Sequence, residues 1–345
     1  MIFLDNAAGS FPKAPGVAEA VADYLSRGAP NIARGGYALS YDAAERVTDI
    51  RCRLAAFFGV SDPRRVIFTP GCTWGLNMVF SGLLKPGDSV KLAGLPHNAV
   101  SRPLHALGVA TAENAPVTVV THGSNVFGEV VSIPQSSGFV IADAAQTAGL
   151  MPIDFDGSGA DAMAIAAHKG LMAPQGVGLL LLSEKMAAAL SPAVSGGTGS
   201  FSHSPEMPPV LPDRFEPGTL NLPGIIGLGA ALDYVDQHFT DICQKAARQT
   251  ALMLALFSDI PGVRVIGTPQ LPVLSLVFER IDNAEAAYRL ETEYGVTTRC
   301  GLQCAPAAHR AMGTFPGGTV RLSAGYFTTE EELKQAARAV REVAL

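Results

Sequence analysis

Two short runs hold side chains able to act together in covalent chemistry. One is Asp143-Ala144-Ala145-Gln146, the other Ala167-His168-Lys169-Gly170. Asp143 closes the apolar run 139–142, and Lys169 follows the apolar run 162–166, so both are expected just past the C-terminal ends of strands. In open α/β sheets ligands bind at that edge. A lysine amine there can form a Schiff base with an aldehyde. A carboxylate beside it can keep a pyridine nitrogen protonated, which makes the ring an electron sink, and the pair suits pyridoxal 5'-phosphate (PLP). Two residues alone equally describe a salt bridge at a sheet edge, the commoner use of such a pair.

Other residues add weight. Gly71-Cys72-Thr73 stands between the apolar run 66–69 and the helically spaced run 74–84. Free backbone N–H groups at a helix start, with a threonine hydroxyl beside them, can hold a phosphate, although threonine there also serves as an ordinary N-cap. His97 follows the run 89–93 and could stack on a ring; Ser124-Asn125 follows the run 117–121. In all, five successive strand ends carry polar groups of suitable type.

The elements that must position these groups alternate between strand-like and helix-like. Residues 66–93 read as a strand, a helix and a strand, a βαβ unit that implies a parallel sheet covered by helices. Further strands are expected at 117–121, 139–142, 162–166 and 177–182, then long helical material at 225–257. Strands at 272–278, 296–298 and 319–323, with helices at 283–294 and 329–343, form a second alternation. The crossover 126–138 has the length of a parallel connection but no helical period. The chain thus reads as α/β: a large domain, 1–230, with a mostly parallel sheet flanked by helices, and a smaller C-terminal α+β domain, 231–345. The N-terminal segment is able to pack on the small domain.

Composition limits the function classes. With 48% hydrophobic and 16% charged residues over 345 positions, the chain can bury a core and is not disordered. A net charge of −6 gives no general attraction to nucleic acid or anionic lipid. Five cysteines without a disulfide-like spacing suggest free thiols in a reducing compartment. The start, Met1 to Asp5, does not read as a signal peptide, and the longest apolar runs are far short of a membrane span, so a cytoplasmic protein is expected.

Taken together, these motifs resemble one family. Leu4-Asp5-Asn6-Ala7-Ala8, Asn31 with Arg34-Gly35, the run 121–125, Asp143 to Gln146, His168-Lys169, the run 196–200, Arg214 to Thr219, Thr298 to Pro306 and Val320 to Ser323 run nearly end to end. The chain resembles the cysteine desulfurases, class V aminotransferase-like enzymes of PLP fold type I. The resemblance implies that Lys169 holds PLP and moves the substrate's α-proton. Asp143 would pair with the pyridine nitrogen and Gln146 with the ring hydroxyl, while His97 stacks on the ring. Gly71, Cys72, Thr73 and His168 would hold the phosphate, Cys72 through its backbone. Thr219 would reach the phosphate of a partner subunit in a homodimer. Asn125 and Arg321 would clamp the substrate carboxylate, Arg321 because its planar fork suits that group; from the sequence alone it could instead form a surface ion pair with an acid such as Glu330. Cys304 would attack the sulfur of bound L-cysteine, leaving a persulfide for a sulfur acceptor such as a protein and releasing L-alanine. The related alternative is a selenocysteine lyase or a class V aminotransferase acting on another small amino acid. Three positions depart from the family pattern: Trp74 for a usual Glu, Ala166 for Ser or Thr, and Gln303 for a His, which puts proton handling beside the sulfur in question. The stretch from His97 to Asp143 is shorter than usual.

Overall fold

The computed structural model describes residues 1–32 and 35–345; Arg34 of the Asn31/Arg34-Gly35 motif lies outside the described residues. Strand β1 (Ile2–Phe3) opens the chain. Seven strands then build the main sheet: β2 (Val66–Thr69), β3 (Ser89–Ala93), β4 (Ala110–Thr111), β5 (Val117–Thr121), β6 (Phe139–Asp143), β7 (Ala162–Ala166) and β8 (Gly178–Leu182). Their order is β2-β8-β7-β6-β5-β3-β4. All neighbours are parallel except at β8, which runs antiparallel to both β2 and β7. The strands at 66–69 and 89–93 therefore share a direction, as the βαβ reading requires, but lie toward opposite edges of the sheet.

The sheet is buried on both faces. In β8, Leu179 and Leu181 join one hydrophobic core while Leu180 and Leu182 join the other. That split follows from the two-residue period of a strand, and it explains the uninterrupted apolar sequence. Gly178 is needed where β8 begins, because a Cβ there would meet the carbonyl oxygen of Ile165 at 2.6 Å and Cα of Gly71 at 2.7 Å. The turn after β2 is thereby drawn in against the start of β8.

A second sheet has the order β12-β13-β10-β9, where β9 is Val263–Ile266, β10 Val273–Phe278, β12 Arg299–Gly301 and β13 Thr319–Ser323. Beside it, β1 pairs in parallel with β11 (Val296–Thr297), so the first residues of the chain pack on the C-terminal part. The 36-residue helix Leu222–Phe257 passes through position 230 without a break. Its first half packs in the core of the main sheet, and Met253 and Phe257 pack in that of the second. No helix among the described residues is long and apolar enough to cross a membrane.

The crossover between β5 and β6 has no helix. Instead, Val126 and Phe127 are fully buried against Ile266, Ala305 and Ala308 of the C-terminal part. Ser275 Oγ donates to the Val126 carbonyl at 2.7 Å. This helix-free connection is thus a docking surface between the two sheets.

One buried ion pair fastens a loop to the main sheet. Arg51 meets Glu216 through two hydrogen bonds of 2.7 and 2.8 Å, and Glu216 also accepts from the Phe68 N–H of β2 at 2.6 Å. Replacing Glu216 with Ala would strand a buried guanidinium, and should lower stability by about 3–5 kcal/mol. Urea unfolding of the purified variant checks this.

Candidate active site

The C-terminal ends of β2, β3, β5, β6 and β7 meet the second sheet at a cleft of 410 Å³. Gly71, Cys72, Thr73, His97, Asn125, Asp143, Gln146, His168, Lys169, Cys304 and Arg321 all line it. Thr219 does not; it lies in a neighbouring groove that shares Pro70 and Trp74 with the cleft.

Asp143 is buried at the end of β6, in register with Thr121 of β5 and Ala164 of β7. Its Oδ1 accepts from the Ala145 N–H at 3.0 Å and from the Cys72 thiol at 3.3 Å. Cys72 was expected to act through its backbone alone, but its sulfur is engaged as well. It opens the helix Cys72–Leu83, and that start brings the thiol onto the carboxylate. Lys169 stands on the turn after β7, a turn so close to residues 148–149 that a Cβ at Gly170 would meet the Ala148 carbonyl oxygen at 2.3 Å. Burial is the main influence on the Lys169 amine and pushes its pKa down, with the charge of Asp143 pulling the other way. A lowered lysine pKa is what a proton-moving amine requires.

Two histidines are held neutral. His97 is the N-cap of the helix Asn98–Ala106, and its Nδ1 accepts from the Ala99 N–H at 3.0 Å, which fixes the ring plane. Burial pushes its pKa down. His168 is pushed down to about 4, first by burial and then by the charges of Lys169 and Lys13. Gln146 donates to the Ala7 carbonyl at 3.0 Å, tying the N-terminal segment to the cleft wall.

The second sheet supplies Arg321, which is 2% exposed and so is no surface residue. Its ion-pair partner is Asp5, at 2.6 Å, rather than Glu330. Asp5 reaches it because the first strand docks beside the second sheet, and it is held in turn by Arg299 at 2.7 Å. Asp5 and Arg299 are site residues that were not singled out in the sequence; their positions within the quoted motifs were the available signal. Arg321 also donates to the Asn125 carbonyl at 2.9 Å. Asn125 Nδ2 is committed to the Gln303 carbonyl at 2.7 Å. Four buried side-chain polar atoms among the described residues lack a partner, and two of them, Arg321 Nε and Asn125 Oδ1, belong to this cleft. Such atoms are costly unless a ligand meets them.

Cys304 is exposed to the cleft. Gln303 and Cys304 have φ of 40° and 58°, a left-handed conformation that is rare for consecutive residues other than glycine. The Gln303 side chain is buried in hydrogen bonds with the second sheet, so that position braces the loop. Trp74 is 52% exposed between the cleft and its neighbouring groove, and Ala166 is buried at the end of β7.

A family model described as "Aminotransferase class-V" matches residues 2–122 and 107–336. The chain belongs to that family. Within the family, a protein of Methanothermobacter thermautotrophicus named "Probable cysteine desulfurase" is 31% identical, covering 99% of this chain and 94% of its own. A "Cysteine desulfurase" of Cronobacter sakazakii is 28% identical, covering 96% of this chain and 91% of its own. Among solved structures, the apo cysteine desulfurase of Thermococcus onnurineus superposes with a TM-score of 0.91 at 24% identity, over 99% of this chain and 94% of that one. The architecture is the family's α/β fold with a mixed, mostly parallel sheet.

The neutral histidines give a pH prediction for the protein free of cofactor. The unfolded chain titrates His168 near the ordinary 6.5, and the folded one near 4. The fold therefore accommodates the neutral ring; its contribution is complete above pH 6.5 and is lost as the pH falls toward 4. Thermal stability should decline across that window, and less steeply in His168→Asn, as measured by Tm against pH.

Proposed function

We propose that the protein is a PLP-dependent cysteine desulfurase, converting L-cysteine to L-alanine with a persulfide on Cys304. The observation carrying this reading is that a buried lysine beside a carboxylate and an exposed thiol from the other sheet line a single cleft. The residues present fit the cofactor. The cleft offers a lysine of lowered pKa, Asp143 with one oxygen already fixed by the Ala145 N–H, and free backbone N–H groups where the helix Cys72–Leu83 begins.

Bound PLP would supply an electron sink for the pair left when the substrate loses its α-proton. Lys169 would hold the cofactor and take that proton, and burial favours its neutral amine. Asp143 would face the pyridine nitrogen, Gln146 the ring hydroxyl and His97 the ring face. Gly71, Cys72, Thr73 and His168 would hold the phosphate, with Thr219 reaching the phosphate of the partner in a homodimer. Arg321 would take the substrate carboxylate through the unpartnered Nε, while Asp5 keeps the far side of the guanidinium aligned. Asn125 has one of its two amide hydrogens on Gln303, so the second remains for the substrate carboxylate, and its free Oδ1 suits a donor on the cofactor or the substrate ammonium. Cys304 would attack the substrate sulfur as a thiolate, forming an S–S bond as the substrate's Cβ–S bond breaks. The bonding pair would stay on Cβ, which takes up a proton on the way to L-alanine, and the sulfur would be kept for an acceptor, protein or small molecule, in the cytoplasm.

Mass spectrometry after cysteine treatment of the holoenzyme should show one added sulfur on the tryptic peptide that begins at Cys300 and contains Cys304. Cys304→Ala should abolish both the added sulfur and alanine release. Retention of turnover by that variant would transfer the assignment to a selenocysteine lyase or an aminotransferase. Arg321→Lys keeps the charge but loses the planar fork, and should raise KM for cysteine roughly tenfold or more. Steady-state kinetics checks this.

A further inference from the structure

The loop carrying Cys304 is gripped from two sides. On the cleft side, its carbonyls are held by the first domain: Asn125 Nδ2 donates to the Gln303 oxygen, and the Asn98 N–H donates to the Cys304 oxygen, each at 2.7 Å. On the other side, the Gln303 side chain is driven into the second sheet. Its Nε2 donates to the carbonyls of Thr319 at 2.8 Å and Arg299 at 3.2 Å. Its Oε1 meets His309 Nε2 at 2.8 Å and lies 3.5 Å from Thr319 Oγ1. With both amide hydrogens on carbonyls, Gln303 Oε1 can only accept, so His309 Nε2 carries the proton. His309 Nδ1 then accepts from Thr314 Oγ1 at 2.8 Å. The ring is fully buried, edge-on to Phe127 at 5.6 Å, and burial pushes its pKa down.

Two successive left-handed residues without glycine persist only where the surroundings hold them. On the side away from the cleft the Gln303 amide, with every hydrogen-bonding position used, is the group that holds them, and His309 is its ring partner. We propose that His309, acting through Gln303, is a positioning residue that sets the backbone of Cys304 and with it the reach of the thiol. His309 does not face the cleft, and nothing in the geometry gives it contact with the reacting atoms. The inference rests on the reading of Cys304 as the nucleophile.

The test compares His309→Leu, which removes the donor, with His309→Gln, whose amide can still donate to Gln303 Oε1. In the cofactor-free protein, backbone hydrogen exchange at residues 302–305 should quicken roughly tenfold in the Leu variant and stay near wild type in the Gln variant. In the holoenzyme, kcat for persulfide formation on Cys304 should fall roughly tenfold in the Leu variant with KM little changed. Solvent exchange of the alanine α-proton, which needs Lys169 but not Cys304, should remain at the wild-type rate. Unchanged exchange at 302–305 together with unchanged kcat would overturn the proposal, as would a parallel loss of alanine exchange. If the Leu variant does not fold, Thr314→Val, which removes the hydroxyl behind the ring, is read by the same criteria. If wild-type holoenzyme makes no persulfide at Cys304, the desulfurase reading fails by itself, and backbone exchange at 302–305 still decides whether the brace exists.

Discussion

Two backbone carbonyls, those of Gln303 and Cys304, decide whether this molecule has an active site at all. The lysine and its carboxylate belong to one sheet; the thiol and the buried arginine belong to another. What sets their separation is a seam of short polar contacts: Asn125 and Asn98 donating to those carbonyls, and Arg321 donating back to Asn125. Each is a bond between groups that water would otherwise satisfy, so each gains its worth from being dry. The apolar packing of Val126 and Phe127 against Ala305 and Ala308 keeps water out of that seam. The irregular form of the crossover and precision at the cleft are therefore linked, because that segment is the one that reaches across.

Much of the main sheet could be read from the sequence because its strands are apolar runs of four or five residues bounded by Gly, Pro and Asp. Residues that follow such runs fall at one edge, which is why Asp143, Lys169, His97 and Asn125 could be gathered in advance. Strand direction was less accessible. An all-leucine run such as 179–182 shows burial on two faces but carries nothing about polarity, so the antiparallel direction of β8 between β7 and β2 has no signature in the sequence. The pairing of Arg321 was hidden for a different reason. Its acid lies 316 residues away, and no local pattern could favour it over an acid nearby.

The departures from the family pattern also take on physical meaning. Gln303 in place of histidine had suggested altered proton handling beside the sulfur. Its amide is instead consumed by two carbonyls and a buried imidazole, which makes that position a matter of backbone shape. Cys72 brings a thiol onto the carboxylate that would face the ring nitrogen, so Asp143 Oδ1 accepts from a side chain as well as from the Ala145 N–H. Asn125 illustrates the opposite case, a residue placed where expected but with one of its two amide hydrogens already committed.

The docking of β1 beside β11 has a bearing on how the chain is made. Ile2 finds its partner at Val296, and Asp5 bridges to Ser323. During synthesis the Ile2–Leu4 stretch must wait until residues 296–323 have left the ribosome. Contacts so distant along the chain form late, and apolar segments left waiting invite chaperones or misassociation. The cleft is therefore finished late, when residues 2–5 close on residues 296–323.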